Sequence, residues 1–279
     1  MGAMSGPWGR LAVGLTLSSA LGGAGYRRHA LTASGALGAV TVGTPIYMAG
    51  GARWSALLLS FFLSSSVLSH VGQRRKEAIS AEFSKGDRRD LGQALANGGV
   101  AAALSTLTLA RRRWAFGPAL AAALAEANAD TWATEIGTLN RAHPRLITTG
   151  QRVEPGTSGG VTPLGLAAAV GGALAVAVPA ASLFSPAERS GWGRARVLGA
   201  VTVAGVAGSL CDSVLGATVQ AMYWCPRCQK VTERRVHRCG TPTVLHHGQP
   251  WLTNDVVNFL ATAASALLAR LLMGWSDPA

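Results

Sequence analysis

Apolar residues in this chain come in blocks of about 16–25, and a membrane-spanning helix needs about 20. Such blocks recur along the 279 residues, separated by short charged loops. Spans are expected near 11–26, 30–50, 54–71, 91–110, 114–137, 160–183, 197–223 and 254–273. The fold class read from this pattern is all-α: a polytopic transmembrane helical bundle of seven or eight spans. No Pro-rich or Ser-rich linker divides it, so residues 1–279 are read as a single transmembrane domain. A Cys/His-rich loop at 224–250 is inserted between the last two spans. Composition agrees. Charged residues make up only 14%, against about a quarter in soluble domains, and the 35 glycines suit close helix approach in lipid. The N-terminal stretch through Gly25 resembles a signal peptide, but membrane blocks follow it at once, so an uncleaved first span or half-span is expected.

The net charge of +12 collects in the loops. With eight spans, QRRKEAISAEFSKGDRRD, LNRAHPRLITTGQRVEPG and CPRCQKVTERRVHRCG share one side with Arg27 and Arg28. Lys and Arg concentrate in cytoplasmic loops, so that side is assigned to the cytoplasm of a multi-pass cell-membrane protein. The Arg111–Arg113 triplet then falls outside, against the rule. The basic balance fits anionic lipid heads. No nucleic-acid partner is expected, because no aromatic-basic surface or binding module accompanies it.

Polar residues inside apolar blocks are the most informative. A charge at the bilayer centre costs roughly 2.5–3.5 kcal/mol on insertion scales, so such groups face a cavity or one another. AEANADTWATEIG places Glu126 and Asp130 on one helical face, with Glu135 beyond and Asn128 and Thr131 flanking. Three acids without a base repel each other unless a cation screens them, and carboxylates with water suit Mg²⁺. The alternative is an acid paired with a loop Arg. GSLCDSVLGA holds Asp212 beside Ser213 in a small-residue helix, as a metal or phosphate residue or as a helix–helix hydrogen-bond partner. Asn254, Asp255 and Asn258 share one face of the last block, where Asp255 also suits a helix N-terminus. EPGTSGGVTPLG surrounds Thr157 and Ser158 with Gly156, Gly159 and Gly160 just before a helix, a turn that can aim backbone N–H groups at an anion. Gln93 and Asn97 lie on one stripe with Asp90 and are expected to face the same cavity. Lys76 and Arg89 are near enough in sequence to reach a phosphate, or are ordinary loop charge. Ser64, Ser65 and Ser66 are expected to bond back to helix carbonyls.

Cys225 and Cys228 form a C-x2-C pair, followed by His237 and Cys239. Two ligand pairs at this spacing match a small structural zinc ribbon with a closed tetrahedral shell. KVTERRV between them reads as a strand pair, and Gly240 permits a knuckle turn. A disulfide or free thiols, with the loop outside, is the competing reading, and His246 and His247 are spare ligand candidates.

NADTWATEIG, GTSGGVTPLG, GSLCDSVLGA and NDVVNF together resemble the integral membrane family of plant phytyl phosphate kinases and animal transmembrane protein nineteen. The likeness runs from about residue 28 to 270 and extends more distantly to dolichol kinases and CDP-diacylglycerol synthases. It implies an enzyme that phosphorylates an isoprenoid monophosphate with a nucleoside triphosphate, CTP by analogy, in the lipid bilayer. Under it, Asp130 and Glu135 become metal and nucleotide-phosphate residues, with Asp212 a second Mg²⁺ ligand. Thr157 and Ser158 with their glycines become phosphate binders, and Asp212 and Asn258 complete the pocket. A CTP-dependent cytidylyltransferase and a cation-coupled transporter are the rival expectations. A homo-oligomer is compatible with the sequence.

Overall fold

The computed structural model describes residues 6–72, 88–111, 116–140, 142–189 and 191–274. Among these lie seven α-helices: α1 (Pro7–Arg27), α2 (Ala33–His70), α3 (Leu91–Arg111), α4 (Gly117–Gly137), α5 (Pro163–Leu183), α6 (Arg194–Thr218) and α7 (Asn254–Met273). Five short strands join them: β1 (Arg145–Leu146), β2 (Gly160–Val161), β3 (Met222–Cys225), β4 (Lys230–Thr232) and β5 (Val244–His247). By length and hydropathy, α2, α5, α6 and α7 can each cross a membrane. Large apolar side chains such as Leu63, Val67, Val203 and Leu271 stand exposed on the helix surfaces. That is costly in water and natural against acyl chains.

The expected spans 30–50 and 54–71 meet without a loop. They form the single element α2, broken only at Gly51, whose φ of 59° and ψ of −147° are non-helical. In a straight helix Gly43 and Leu58 would be about 22 Å apart. A Cβ on Gly43 would instead lie 3.8 Å from the Leu58 side chain, so the two arms fold back on each other at Gly51. A left-handed φ is open to glycine without penalty, which is why a single residue suffices for the turn.

α4 is the centre of the bundle. It contacts α2, α3, α5, α6 and α7. Every residue from Gly117 to Ala129 is buried, on all faces of the helix. The sequence explains how. GPALAAALAEANA is built almost wholly of small residues, and partner glycines face it. A Cβ at Gly172 of α5 would come within 2.7 Å of the Asn128 carbonyl oxygen, and one at Gly205 of α6 within 2.9 Å of the Ala125 Cβ. Close backbone approach maximises dispersion contacts where no hydrophobic force joins helices in lipid.

Several expectations are corrected here. The molecule is mainly helical but not all-α, because the Cys/His loop folds into a three-stranded sheet of order β4-β3-β5. KVTERRV is not a strand pair: only Lys230–Thr232 is a strand, and it pairs antiparallel with Met222–Cys225 across the C-x2-C turn. The seventh block stops at Thr218, since residues from Met222 onward join that sheet. The fifth and sixth blocks start late, at Gly117 and Pro163, each with proline in the first turn, where its missing N–H costs nothing.

Helix contact through glycine is testable. Gly172→Ala forces a Cβ onto backbone atoms of α4 and is expected to destabilise by about 1–3 kcal/mol. Gly199→Ala on α6 meets nothing within 4 Å and is expected to be neutral or to stabilise by about 0.5–1 kcal/mol. Thermal unfolding of the detergent-solubilised pair measures the difference.

Candidate functional site

One end of the bundle opens into a polar cavity of about 420 Å³. The N-terminal turns of α5 and α7 border it, and Arg89 and Gln93 bring in the start of α3. The C-terminal halves of α2, α4 and α6 border it too, through His70, Glu135 and Asp212. Helix N-termini carry partial positive charge and C-termini partial negative charge. The site therefore offers separate environments for anions and for cations.

The carboxylates come from different helices. Asp130 and Glu135 project from α4, Asp212 from α6 and Asp255 from the first turn of α7. Asp130 and Asp212 repel each other across the cavity. Asn258 Nδ2 faces two acceptors, donating to Asp212 Oδ2 at 2.8 Å and to the Asn254 carbonyl at 3.1 Å. α7 thus aims the Asp212 carboxylate. Ser213 lines the same wall and donates back to the Ser209 carbonyl, as Thr131 does to Ala127. These hard oxygen donors suit Mg²⁺.

The start of α3 supplies the positive side. Asp90 and Gln93 cap the helix reciprocally: Gln93 N donates to Asp90 Oδ1 at 2.9 Å and Asp90 N to Gln93 Oε1 at 3.1 Å. This is a capping box with Asp at the cap. Asn97 Nδ2 donates one turn back, to the Gln93 carbonyl. The Arg89 backbone is tied to the α1–α2 connection, with Arg89 N donating to the Ala30 carbonyl and Thr32 N to that of Arg89. Its guanidinium stacks over Phe61, 5.4 Å from the ring centroid, and is attracted by Glu135. Arg89 Nη1 is buried and reaches no acceptor among the described residues. A guanidinium nitrogen left so at a cavity wall suits an anionic ligand.

The GTSGG turn closes the opposite wall. Thr157 Oγ1 donates to the Glu154 carbonyl, and Ile147 N to that of Gly159. Gly159 has φ +76° and packs on Ala217 and the Ser213 carbonyl, so a side chain there would collide with α6. Gly160 pairs with Leu146 in the β1–β2 ladder. Thr162 caps α5, accepting from Gly165 N at 3.0 Å. Glycine brings this turn against the helix rather than leaving it loose.

The structure gathers at one cavity Arg89, Gln93, Asn97, Asp130, Thr131 and Glu135, then Thr157, Ser158, Gly159 and Gly160, then Asp212, Ser213, Asn254, Asp255 and Asn258. It does not bring Asn128 there. That amide is fully buried among helices: Nδ2 donates to the Gly172 carbonyl at 2.8 Å, and Oδ1 accepts from Ser64 and Ser65. Ser64 and Ser65 thus bond across helices, while Ser64 also bonds back to the Phe61 carbonyl and Ser66 to that of Phe62, as expected. Lys76 lies outside the described residues. The cavity also includes residues that spacing did not reveal, notably His29, His70 and Glu233. Glu233 had no sequence signal, because it arrives from the Cys/His loop. Glu126 sits deeper, one turn from Asp130, with neither carboxylate oxygen bonded among the described residues.

In the loop, the ligand atoms of Cys225, Cys228, His237 and Cys239 lie within 4.8 Å of one another. Cys225 Sγ and Cys239 Sγ are 3.7 Å apart, and His237 Nδ1 is 3.2 Å from Cys239 Sγ. A disulfide needs about 2.05 Å, whereas two thiolates on tetrahedral zinc stand about 3.8 Å apart. Hydrogen bonding to Thr241 and His237 pulls the Cys239 thiol down to about 5, while hydrogen bonding with Cys239 pushes that of Cys228 up to about 11.

The role of Asn128 is separable from the cavity. Asn128→Ala removes three inter-helix hydrogen bonds, each worth about 0.6 kcal/mol in membrane bundles. It is expected to lower the unfolding temperature while leaving phosphate or metal binding by the folded fraction unchanged. A selective loss of ligand binding at unchanged stability would place it in the site after all.

A family model described as integral membrane protein DUF92 matches residues 16–266. Protein PGR of Arabidopsis thaliana is 34% identical over 283 residues, covering 95% of this chain and 96% of its own. An uncharacterised membrane protein of Methanocaldococcus jannaschii is 32% identical over 191 residues, covering 68% of this chain and 75% of its own. Another, from Synechocystis, is 29% identical over 237 residues, covering 82% and 77%. No solved structure matches. The matched region holds every residue that lines the cavity, from His29 to Asn258. The chain belongs to the DUF92 family of integral membrane proteins.

Proposed function

We propose that this protein is a membrane-embedded kinase. It moves the terminal phosphoryl group of a nucleoside triphosphate, CTP by the resemblance drawn above, onto an isoprenoid monophosphate such as phytyl or geranylgeranyl phosphate. The observation that carries the reading is the mixed electrostatics of one cavity: carboxylates of several helices face helix N-termini and the buried Nη1 of Arg89. Phosphates bridged by a divalent cation need both. Leu166 lines the cavity yet is 40% exposed beside the start of α5, which gives a lipid tail a lateral exit.

Asp130 and Asp212 would hold Mg²⁺, which supplies charge neutralisation for the nucleotide phosphates. Asn258 keeps Asp212 in register for that role. Arg89 Nη1 and the GTSGG turn take phosphate oxygens, and Glu135 holds the guanidinium near them. A phosphate oxygen of the prenyl monophosphate attacks the terminal phosphorus, the bond to the bridging oxygen breaks, and the nucleoside diphosphate leaves. The acceptor oxygen is already anionic, so no strong base is required. Positioning and preorganised charge provide the acceleration. In this reading all helical arms cross the bilayer, and the basic loops put the cavity at the cytoplasmic face.

The test uses purified protein with CTP, Mg²⁺ and phytyl or geranylgeranyl phosphate. Prenyl diphosphate and CDP are expected, and Asp130→Asn is expected to lower kcat roughly 10²–10³-fold. Folded wild type that makes no diphosphate across nucleotides and chain lengths would sink the reading. Release of pyrophosphate would indicate cytidylyl transfer instead, and nucleotide-independent uptake into proteoliposomes would indicate transport.

A further inference from the structure

We infer that Cys225, Cys228, His237 and Cys239 bind one Zn²⁺, and that this ion braces the acidic cavity by holding Glu233 and the Ser158 turn together through the Gln220 amide. The zinc site stands independently of the kinase reading, and the coupling requires only the cavity.

Outside β3, which buries Met222, Tyr223 and Cys225, the loop between α6 and α7 packs little. β5 is exposed at every position, and β4 buries only Thr232 well. Strands of three or four residues in a lone sheet of three are marginal. What the loop does bury includes Cys225 and His237, two of the four ligand residues. The C-x2-C turn closes with Gln229 at φ 53°, and the second knuckle with Gly240 at φ 78°. Both knuckles point their ligands at one spot, with the sulfur spacing of a tetrahedral thiolate site. Four protein ligands leave no open coordination position, so the ion is structural.

The brace follows from connectivity. Glu233 comes directly after β4, and its place is set by the β3–β4 register, which pairs Tyr223 with Thr232 and Cys225 with Lys230. Gln220 comes two residues before β3 and is 1% exposed. Its Nε2 donates to Glu233 Oε1 at 3.0 Å, and its Oε1 accepts from Ser158 Oγ at 3.4 Å. One buried amide thus joins the metal-stapled hairpin to the glycine turn. The return strand is anchored as well, by Ala221 N to the Leu252 carbonyl and Gln249 N to that of Val219. Unclamping the hairpin removes what positions Glu233, and the Gln220 amide that holds the Ser158 turn loses its carboxylate partner. Gln220 acts as a positioning residue in this scheme.

The full chain in detergent tests both halves. Elemental analysis is expected to find one zinc per chain, lost in Cys228→Ser and retained in His237→Cys, which keeps a tetrahedral set of four. Co²⁺ substitution is expected to give thiolate charge-transfer absorption. Wild type without stoichiometric zinc and without that absorption overturns the metal site. Should Cys228→Ser fail to fold, stripping the wild type with phenanthroline provides the same comparison, since that chelator leaves Mg²⁺ sites alone. Hydrogen exchange then reads the coupling. Zinc removal is expected to lose protection at 222–247 and also at 156–160. Loss confined to 222–247 would overturn the brace while the zinc site stands.

Discussion

A helix buried on every side decides most of this structure. α4 has no face left for lipid or water along Gly117–Ala129, so each polar group on it must be answered by another helix or by the cavity. Small residues make that possible, because alanine in α4 and glycine in α5 and α6 bring backbones together. Asn128 is answered by Gly172, Ser64 and Ser65, and those bonds tie α4 to α5 and α2. Ser265 donates to the Ala122 carbonyl at 2.9 Å and ties in α7. Two residues past Asn128, the helix reaches the cavity, and the next acid, Asp130, has space instead of a neighbour. The same helix supplies the clamp and the site.

The bundle was legible because apolar block length is a strong signal in a chain that must cross lipid. Block ends were less so. Proline delayed α4 and α5 by a few residues, and Gly51 replaced a loop with a single-residue turn. The site was legible to the extent that polar residues in apolar helices have few destinations. Asp130, Asp212 and Asn258, singled out by that rule, come from three helices and line one cavity. The rule says nothing about which destination, and so misplaced Asn128: a buried amide and a ligand amide look alike in sequence. Glu233 was invisible for another reason. It sits among arginines in a loop, where an acid carries no cost, and only the fold of the β3–β4 hairpin turns it toward Asp212.

Glu126 sharpens the electrostatic argument. It lies one turn below Asp130, packed on Gly208 of α6, with both carboxylate oxygens unbonded among the described residues. Removing a second carboxylate from water so close to Asp130 and Asp212 has a cost of several kcal/mol. Protonation of Glu126 or a positive group in the cavity offsets it, and Arg89 lies toward the α3 side, held by Ala30 and Thr32. Asp130 and Asp212, which line the cavity, together favour a bound cation more than either would alone.

The choice between phosphate chemistry and ion passage turns on that cation's company. A path built only to pass cations would line its wall with carboxylates and helix C-termini. An anion site would offer N-termini and arginine. Here Asp130, Glu135 and Asp212 face the starts of α3, α5 and α7 and the Arg89 guanidinium across one space. A bare cation would be repelled by one wall, and a bare anion by the other. In the proposed reading a cation carrying phosphates would satisfy both, and a phosphorylated lipid would enter beside Leu166 with its charge toward Arg89 and its tail toward the bilayer.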